Sequence, residues 1–254
     1  MIFERPCIVD GCGCDGGRLP DSLYVYQNVR TTGQRGLNVA RHMEVLDAAA
    51  REVLGAGVGY SPKIVENQIS GLLSENNYPS DGLSYVTLRQ YLSGEFAIIA
   101  RGLFPYKQRR LRMFFPRAGI VDYSLPLSEQ PTAMSEAAVQ MAMAAMRAED
   151  ATLKCVIRRN PDGEIVSADG APVFIFENGA VVAPPPAVES VEFESAVRAV
   201  SRAGFPFSTD RIDTDRLLNA EELFFADYRG LTAVSACEEH VFIHMAAERI
   251  GNFF

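Results

Sequence analysis

Tryptophan is missing from these 254 residues, and lysine nearly so: Lys63, Lys107 and Lys154 are the only ones, leaving arginine to carry most of the positive charge. Histidine is as scarce, present only as His42, His240 and His244. Few imidazoles and few amines leave little material for metal ligation, general acid–base work or covalent catalysis by an amine. No apolar run approaches the ~18 residues of a membrane-crossing helix, and the first residues lack the charged-then-apolar pattern of a secretory signal. No Gly-x-Gly-x-x-Gly follows a strand, no phosphate loop ends in Gly-Lys-Ser/Thr, and no Gly-x-Ser-x-Gly elbow is present. Acidic residues outnumber Lys plus Arg by 32 to 24, for a net charge of -8. That weighs against nucleic acid as a partner, since such affinity comes from cations that neutralise phosphates. The one basic stretch, Lys107 to Arg112, reads as a strand with a charged edge.

Five cysteines, an odd number, fit a reducing compartment better than a disulfide framework. A soluble cytoplasmic protein without a membrane partner is expected. Cys7, Cys12 and Cys14 lie in or beside a glycine-rich turn, but Cys-x-Cys is too tight for a zinc knuckle, so they read as a strand cysteine and two turn cysteines. His240 and His244, four apart, would share one face of a helix, yet the glutamate that a metalloprotease helix needs is missing. No metal site is expected.

The composition, 48% hydrophobic and 22% charged, is that of a globular protein long enough for one large domain or two modest ones. Residues 1–10 read as a strand and Gly11 to Gly17 as a turn, with a further strand over Leu23–Arg30. Val39, Met43, Leu46, Ala50 and Val53 make a helical stripe ending at about Leu54, and Ser61-Pro62 opens a second helix. Three strands follow over 83–90, 95–101 and 110–115. Pro116, Pro126 and Pro131 then punctuate a stretch without periodicity, read as a linker over 118–131 between an N-terminal α/β domain (1–117) and a C-terminal one (132–254). In the second domain the pattern predicts a helix over 135–148, a strand over 153–158 and a hairpin turning at Asn178-Gly179. A helix over 191–203, two short strands at 223–226 and 231–234, and a closing helix over 239–253 complete it. The fold class is mixed α/β with α+β character, since the hairpin signals are too many for a purely parallel sheet.

Three stretches together resemble fold-type IV pyridoxal-phosphate-dependent enzymes, the class IV aminotransferases. The first runs from Asn38 to Ala49. The second runs from Asp162 to Ser167 and on through Pro172–Phe176, Gly179 and Pro184-Pro185. The third is Leu218–Asp227 followed by Gly230–Val234. This family includes branched-chain and D-amino-acid aminotransferases and 4-amino-4-deoxychorismate lyases. The resemblance implies a two-domain D-amino-acid aminotransferase-like fold, a cleft between the domains and a homodimer.

At four positions the chain departs from the family's cofactor contacts. The Schiff-base lysine belongs at Ala133 or Met134, and the phosphate arginine at Val45. The phosphate-binding helix start falls on Val191 and Glu192, where a carboxylate opposes the phosphate. The ring-nitrogen glutamate falls on Ser167, with Asp169 two residues on. The expectation is a divergent homologue without catalytic residues, with no cofactor, inactive as a transaminase and holding a small anionic ligand. The candidate ligand residues implied by the resemblance are Tyr26, Arg30, Arg89, Ser167, Glu192, Tyr228 and Thr232. The alternatives are an active pyridoxal-phosphate-dependent aminotransferase or aminodeoxychorismate-type lyase, and a dimeric interaction protein without a ligand. Whether the chain is an enzyme stays open at this point.

Overall fold

A computed structural model describes residues 6–15, 19–80, 83–102, 111–112, 114–124, 127 and 129–254. The chain forms two compact units, one of Met1–Gln108 with Gln130–Ala133, the other of Arg109–Glu129 with Met134–Phe254.

The first unit is an antiparallel sheet with two helices on one face. Its strands are β1 (Pro6–Val9), β2 (Cys12–Asp15), β3 (Tyr24–Thr32), β4 (Arg35–Gly36), β5 (Leu83–Tyr91) and β6 (Phe96–Ala100), in the order β2-β1-β6-β5-β3-β4. Alternation along the strands sorts side chains between two faces. Val25, Val29, Val86, Leu88, Phe96 and Ile98 pack beneath α1 (Val39–Leu54) and α2 (Pro62–Glu75), against Met43, Leu46, Ile69 and Leu73. One polar pair interrupts this core: buried His42 donates from Nδ1 to Gln27 Oε1 at 3.0 Å, and burial pulls the imidazole pKa down to about 4. The expected turn over Gly11–Gly17 is instead partly strand. Asp10 and Gly11, at φ 47° and 81°, make a two-residue turn, and the chain returns as β2.

The second unit is layered helix, sheet, sheet, helix. One sheet runs β12 (Phe207–Thr209), β11 (Ala180–Ala183), β10 (Val173–Glu177), β13 (Glu222–Asp227), β14 (Gly230–Ala233). The other runs β16 (His240–Val241), β15 (Ala236–Cys237), β7 (Arg117–Asp122), β8 (Leu153–Arg159), β9 (Ile165–Ala168). Cys155, Ile157, Val173, Ile175, Leu223 and Phe225 fill the space between the sheets. The intervening residues Phe174, Phe224 and Ala226 face α4 (Val191–Arg202) and α6 (Met245–Gly251). On the outer face of the second sheet, α3 (Ala133–Glu149) lays Ala142 and Met146 on Val156. A short α5 (Thr214–Asn219) precedes β13.

Several expectations change. Strand β7 begins at Arg117 and runs into the interval read as a linker. Of the strand read over 110–115, Leu111 makes one isolated bridge, to Leu231; Arg110 and Met113 lie outside the described residues. The closing helix begins only at Met245, because β15 and β16 form a small hairpin that turns through Glu238 at φ 50°. His240 and His244 therefore share no helix face: His240 Nε2 bonds Ala220 O at 3.1 Å, and His244 sits at the N-cap of α6. The cysteines are not all reduced, for Cys7 is disulfide-bonded. No helix is long and apolar enough to cross a membrane among the described residues.

Candidate functional site

In the first unit, the sheet face turned away from α1 and α2 collects polar and aromatic side chains. The β3–β5 register sets Tyr24 opposite Tyr91, Tyr26 opposite Arg89, Asn28 opposite Thr87 and Arg30 opposite Tyr85. Paired residues share a face, so Tyr26, Arg30 and Arg89, the three candidates that fall here, stand on one side. The Arg89 guanidinium lies 4.0 Å over the Tyr24 ring and donates to the Tyr91 hydroxyl at 3.5 Å. Thr87 donates to Asn28 Oδ1 at 2.8 Å and accepts from Arg101 Nε at 3.2 Å. Arg89 is thus held by two aromatic residues, Arg101 by a hydroxyl that also bonds an amide, and Arg30 stands on the same face of β3. Asn28, Thr87 and Arg101 were missed in the sequence, although the alternation Tyr85, Thr87, Arg89, Tyr91 carries the signal for Thr87.

In the second unit, the candidates gather around the tight β13–β14 turn and the start of α4. Asp227 is buried and holds Arg229: its Oδ1 accepts the Arg229 N–H at 2.7 Å, and its Oδ2 accepts from Nε at 2.7 Å and from Nη2. Tyr228 stands between them in the turn. Buried Thr232 accepts from Arg112 Nη1 at 3.0 Å. Asp169, at φ 50°, accepts Val156 N–H at 2.8 Å. Burial raises its pKa, Asp227 pushes the same way, and Arg229 and Arg112 oppose. Glu192 opens α4 beside the capping Ser190 and accepts from the Ser190 hydroxyl at 3.1 Å. Burial pushes its carboxyl up to about 7 against that bond, with Asp227 adding to the rise. Ser167, on β9, pairs with Arg158 on β8 and makes no bond to this group among those described. Arg112, Asp227 and Arg229 are the residues missed here; Asp169 entered only as the carboxylate two residues past Ser167. Asp-x-Arg in a hairpin turn was a readable signal for Asp227 and Arg229.

A model of the family described as amino-transferase class IV matches residues 25–237. No curated protein matches the chain in sequence. Among solved structures, a branched-chain aminotransferase from Thermoproteus uzoniensis with norvaline is 18% identical, with a TM-score of 0.82 over 98% of this chain and 93% of that one. An aminotransferase from Brucella abortus bound to the co-factor PLP is 13% identical, with a TM-score of 0.81 over 96% of each chain. A putative 4-amino-4-deoxychorismate lyase from Legionella pneumophila is also 13% identical, with a TM-score of 0.74 over 89% of this chain and 88% of that one.

The expectation of no cofactor is overturned by these likenesses, which point to pyridoxal phosphate, the co-factor bound to the Brucella abortus relative. One physical ground for that expectation also weakens. Glu192 was read as a standing negative charge against a phosphate, but with a pKa of about 7 it is half protonated at neutral pH, and a protonated carboxyl donates a hydrogen bond. The N-terminal end of α4 and the Arg229 guanidinium are the groups in this unit suited to a phosphate. Among the described residues no lysine takes part in the bonds of this cluster. Ala133 begins α3, Lys154 Nζ donates to Ala151 O at 2.7 Å on the surface, and Lys63 pairs with Glu66 at 3.5 Å on exposed α2. Lys107 lies outside the described residues. Val45, on α1, is a buried apolar residue.

Proposed function

The chain belongs to the amino-transferase class IV family, and from that premise we propose that it is a divergent member that does not transaminate and that binds a small anionic ligand. The observation that carries this reading is Ala133-Met134 at the head of α3, where the family resemblance calls for an amine. Transamination needs a primary amine held at the cofactor's aldehyde to shuttle a proton, and neither a methyl group nor a thioether offers that bond or that proton. Pyridoxal phosphate is the cofactor to which the relatives point. In this chain it would be held by hydrogen bonds and charge alone, and no step is derived through it.

The ligand face is the arginine-bearing side of the first unit's sheet. Arg89 is oriented by the Tyr24 ring and the Tyr91 hydroxyl, and Arg101 by Thr87, so the guanidiniums reach a carboxylate or phosphate with little rotamer freedom left to lose. The protein is proposed to be cytoplasmic and homodimeric, without nucleic-acid or membrane partners.

The test is to incubate the protein with excess pyridoxal phosphate, an amino donor and a 2-oxo acid, then reduce with borohydride and map peptides. No amino-group transfer and no stoichiometric pyridoxyl-lysine are expected. Transfer accompanied by full labelling of Lys63, Lys107 or Lys154 would establish the aminotransferase or lyase alternative. For the ligand, titration calorimetry with small dicarboxylates and phosphate esters should find one that loses about 10- to 100-fold in affinity in Arg89→Gln, the equivalent of one charge-assisted hydrogen bond.

A further inference from the structure

The arginine-bearing face of the first unit's sheet is ordered in rows across its strands. Arg101 N donates to Tyr85 O at 2.9 Å, continuing the β5–β6 register, so Arg101 stands beside Tyr85 with Arg30 on the other side. The next row is Asn28, Thr87 and Ile99, and the one after it Tyr26, Arg89 and Ala97. Rows on one face follow each other by two residues, about 7 Å, which puts the Arg30–Arg101 row about 14 Å from Arg89. The Asn28–Thr87 pair lies between these two cationic ends.

The hydrogen bonds of that middle row run in one direction. A guanidinium donates and never accepts, so Thr87 Oγ1 receives Arg101 Nε at 3.2 Å and passes its own hydrogen to Asn28 Oδ1 at 2.8 Å. With its oxygen engaged, the Asn28 amide turns its nitrogen, a pair of donors, away from Thr87. No side chain of the three rows is acidic, and the acceptors left to a ligand are uncharged hydroxyls. The nearest acid along these strands is Glu95, whose carbonyl receives Tyr91 N at 2.9 Å one row beyond Arg89.

We propose that this face selects a dianion free of amines, a deepening that rests on the anionic-ligand reading given above. One anionic group lies at the Arg30–Arg101 row and the other toward Arg89. Next to the first, a carbonyl or hydroxyl oxygen accepts from Asn28 Nδ2. An ammonium in that place meets a donor in its own row, cations in the rows on either side and no carboxylate. An oxygen there completes the relay that starts at Arg101. Repulsion and an unpaired donor both act against the amino acid and in favour of the oxo or hydroxy acid of the same skeleton.

Titration calorimetry with probes built on one six-carbon chain separates these features. The probes are 2-oxoadipate, 2-aminoadipate as either enantiomer, adipate without the oxygen, and 2-oxohexanoate without the second carboxylate. 2-Oxoadipate is expected to bind at least about 10-fold more tightly than 2-aminoadipate and 2-oxohexanoate, and about 3- to 10-fold more tightly than adipate. Asn28→Asp replaces the outward donor by a carboxylate of the same shape and should reverse the order of 2-oxoadipate and 2-aminoadipate. Urea unfolding shows whether that variant is folded, and if it is not, the wild-type ratios decide alone. 2-Aminoadipate or 2-oxohexanoate matching 2-oxoadipate on the wild type overturns the proposal. So does an unchanged ratio in folded Asn28→Asp. Those outcomes leave the anionic-ligand reading standing, whereas no binding by any dicarboxylate or phosphate ester removes that reading and this proposal together.

Discussion

At the scale of a single residue, Glu192 shows how a side chain's meaning depends on its surroundings. In the sequence it is a carboxylate at a helix start where a phosphate is expected, and charge alone makes it repulsive. In the folded protein, burial raises its pKa from 4.5 to about 7. The sign of the consequence follows from proton counts. Between those two values the folded state holds more protons than the unfolded one, so stability falls as pH rises across the window and levels off above it. The full shift corresponds to about 3 kcal/mol, and partial access to solvent trims this to about 2. Glu192→Gln should therefore flatten the dependence of stability on pH between about 4.5 and 7 and leave the protein more stable than wild type at pH 8, read from urea unfolding midpoints. Affinity for inorganic phosphate or pyridoxal phosphate should drop above pH 7 in the wild type and change little in the variant. An unchanged slope in Glu192→Gln would locate the titrating group elsewhere, with Asp169 the next to substitute. None of this was legible in the sequence, since the shift comes first from burial by tertiary packing, with Asp227, distant along the chain, adding to it.

At the scale of elements, α6 is the clearest case of a helix made by something outside itself. Seven residues cannot sustain a helix alone, because nucleation costs more than so few hydrogen bonds return. Its start is held by Glu222 of β13, 1% exposed, whose Oε1 accepts Ala246 N–H at 2.7 Å and whose Oε2 accepts Ala247 N–H at 2.9 Å. Those amides are among the donors that a helix leaves unpaired at its first turn, and a carboxylate there also meets the positive end of the helix dipole. Glu222→Ala should cost about 2–4 kcal/mol in chemical unfolding and expose α6 to proteolysis before the rest of the second unit. Glu222→Gln, which keeps an acceptor, should lose less; equal losses in the two would mean that packing dominates over the cap. This dependence explains what could be read in advance. Helices α1, α3 and α4 and the β10–β11 hairpin were legible because each carries its own signal, an apolar stripe or an Asn-Gly turn. The β1–β2 hairpin, the two-residue strands β15 and β16 and the late start of α6 were not, because strands of two to four residues are too short for periodicity and the cap of α6 lies 24 residues upstream. Of the candidate residues, Tyr26 and Arg30 share a face by alternation along one strand, whereas Arg89 comes to that face only through the β3–β5 pairing, and Asp169 and Arg112 join the second cluster only through tertiary packing.

At the scale of the whole molecule, the question is whether the chain works alone. Met141 is 72% exposed, Val241 73%, Ile243 51% and Met245 74%, a set of large apolar side chains left in water by the isolated chain. Scattered singly such residues mean little; together with the homodimer implied by the family resemblance they motivate an assembly that covers some of them. Two copies with a net charge of -8 each repel at long range, so association driven by apolar contact should strengthen as salt screens that repulsion. The expected outcome in sedimentation velocity at micromolar concentration is a species of twice 27.8 kDa whose population grows between low and moderate ionic strength. Folding linked to assembly has a second signature, because mass action makes the unfolding midpoint rise with protein concentration. A 27.8 kDa species at every salt concentration, with a midpoint that stays put over a hundredfold range of protein, would sink the homodimer. A dimer that instead dissociates on adding salt would place charge pairs, and not these apolar side chains, at the contact.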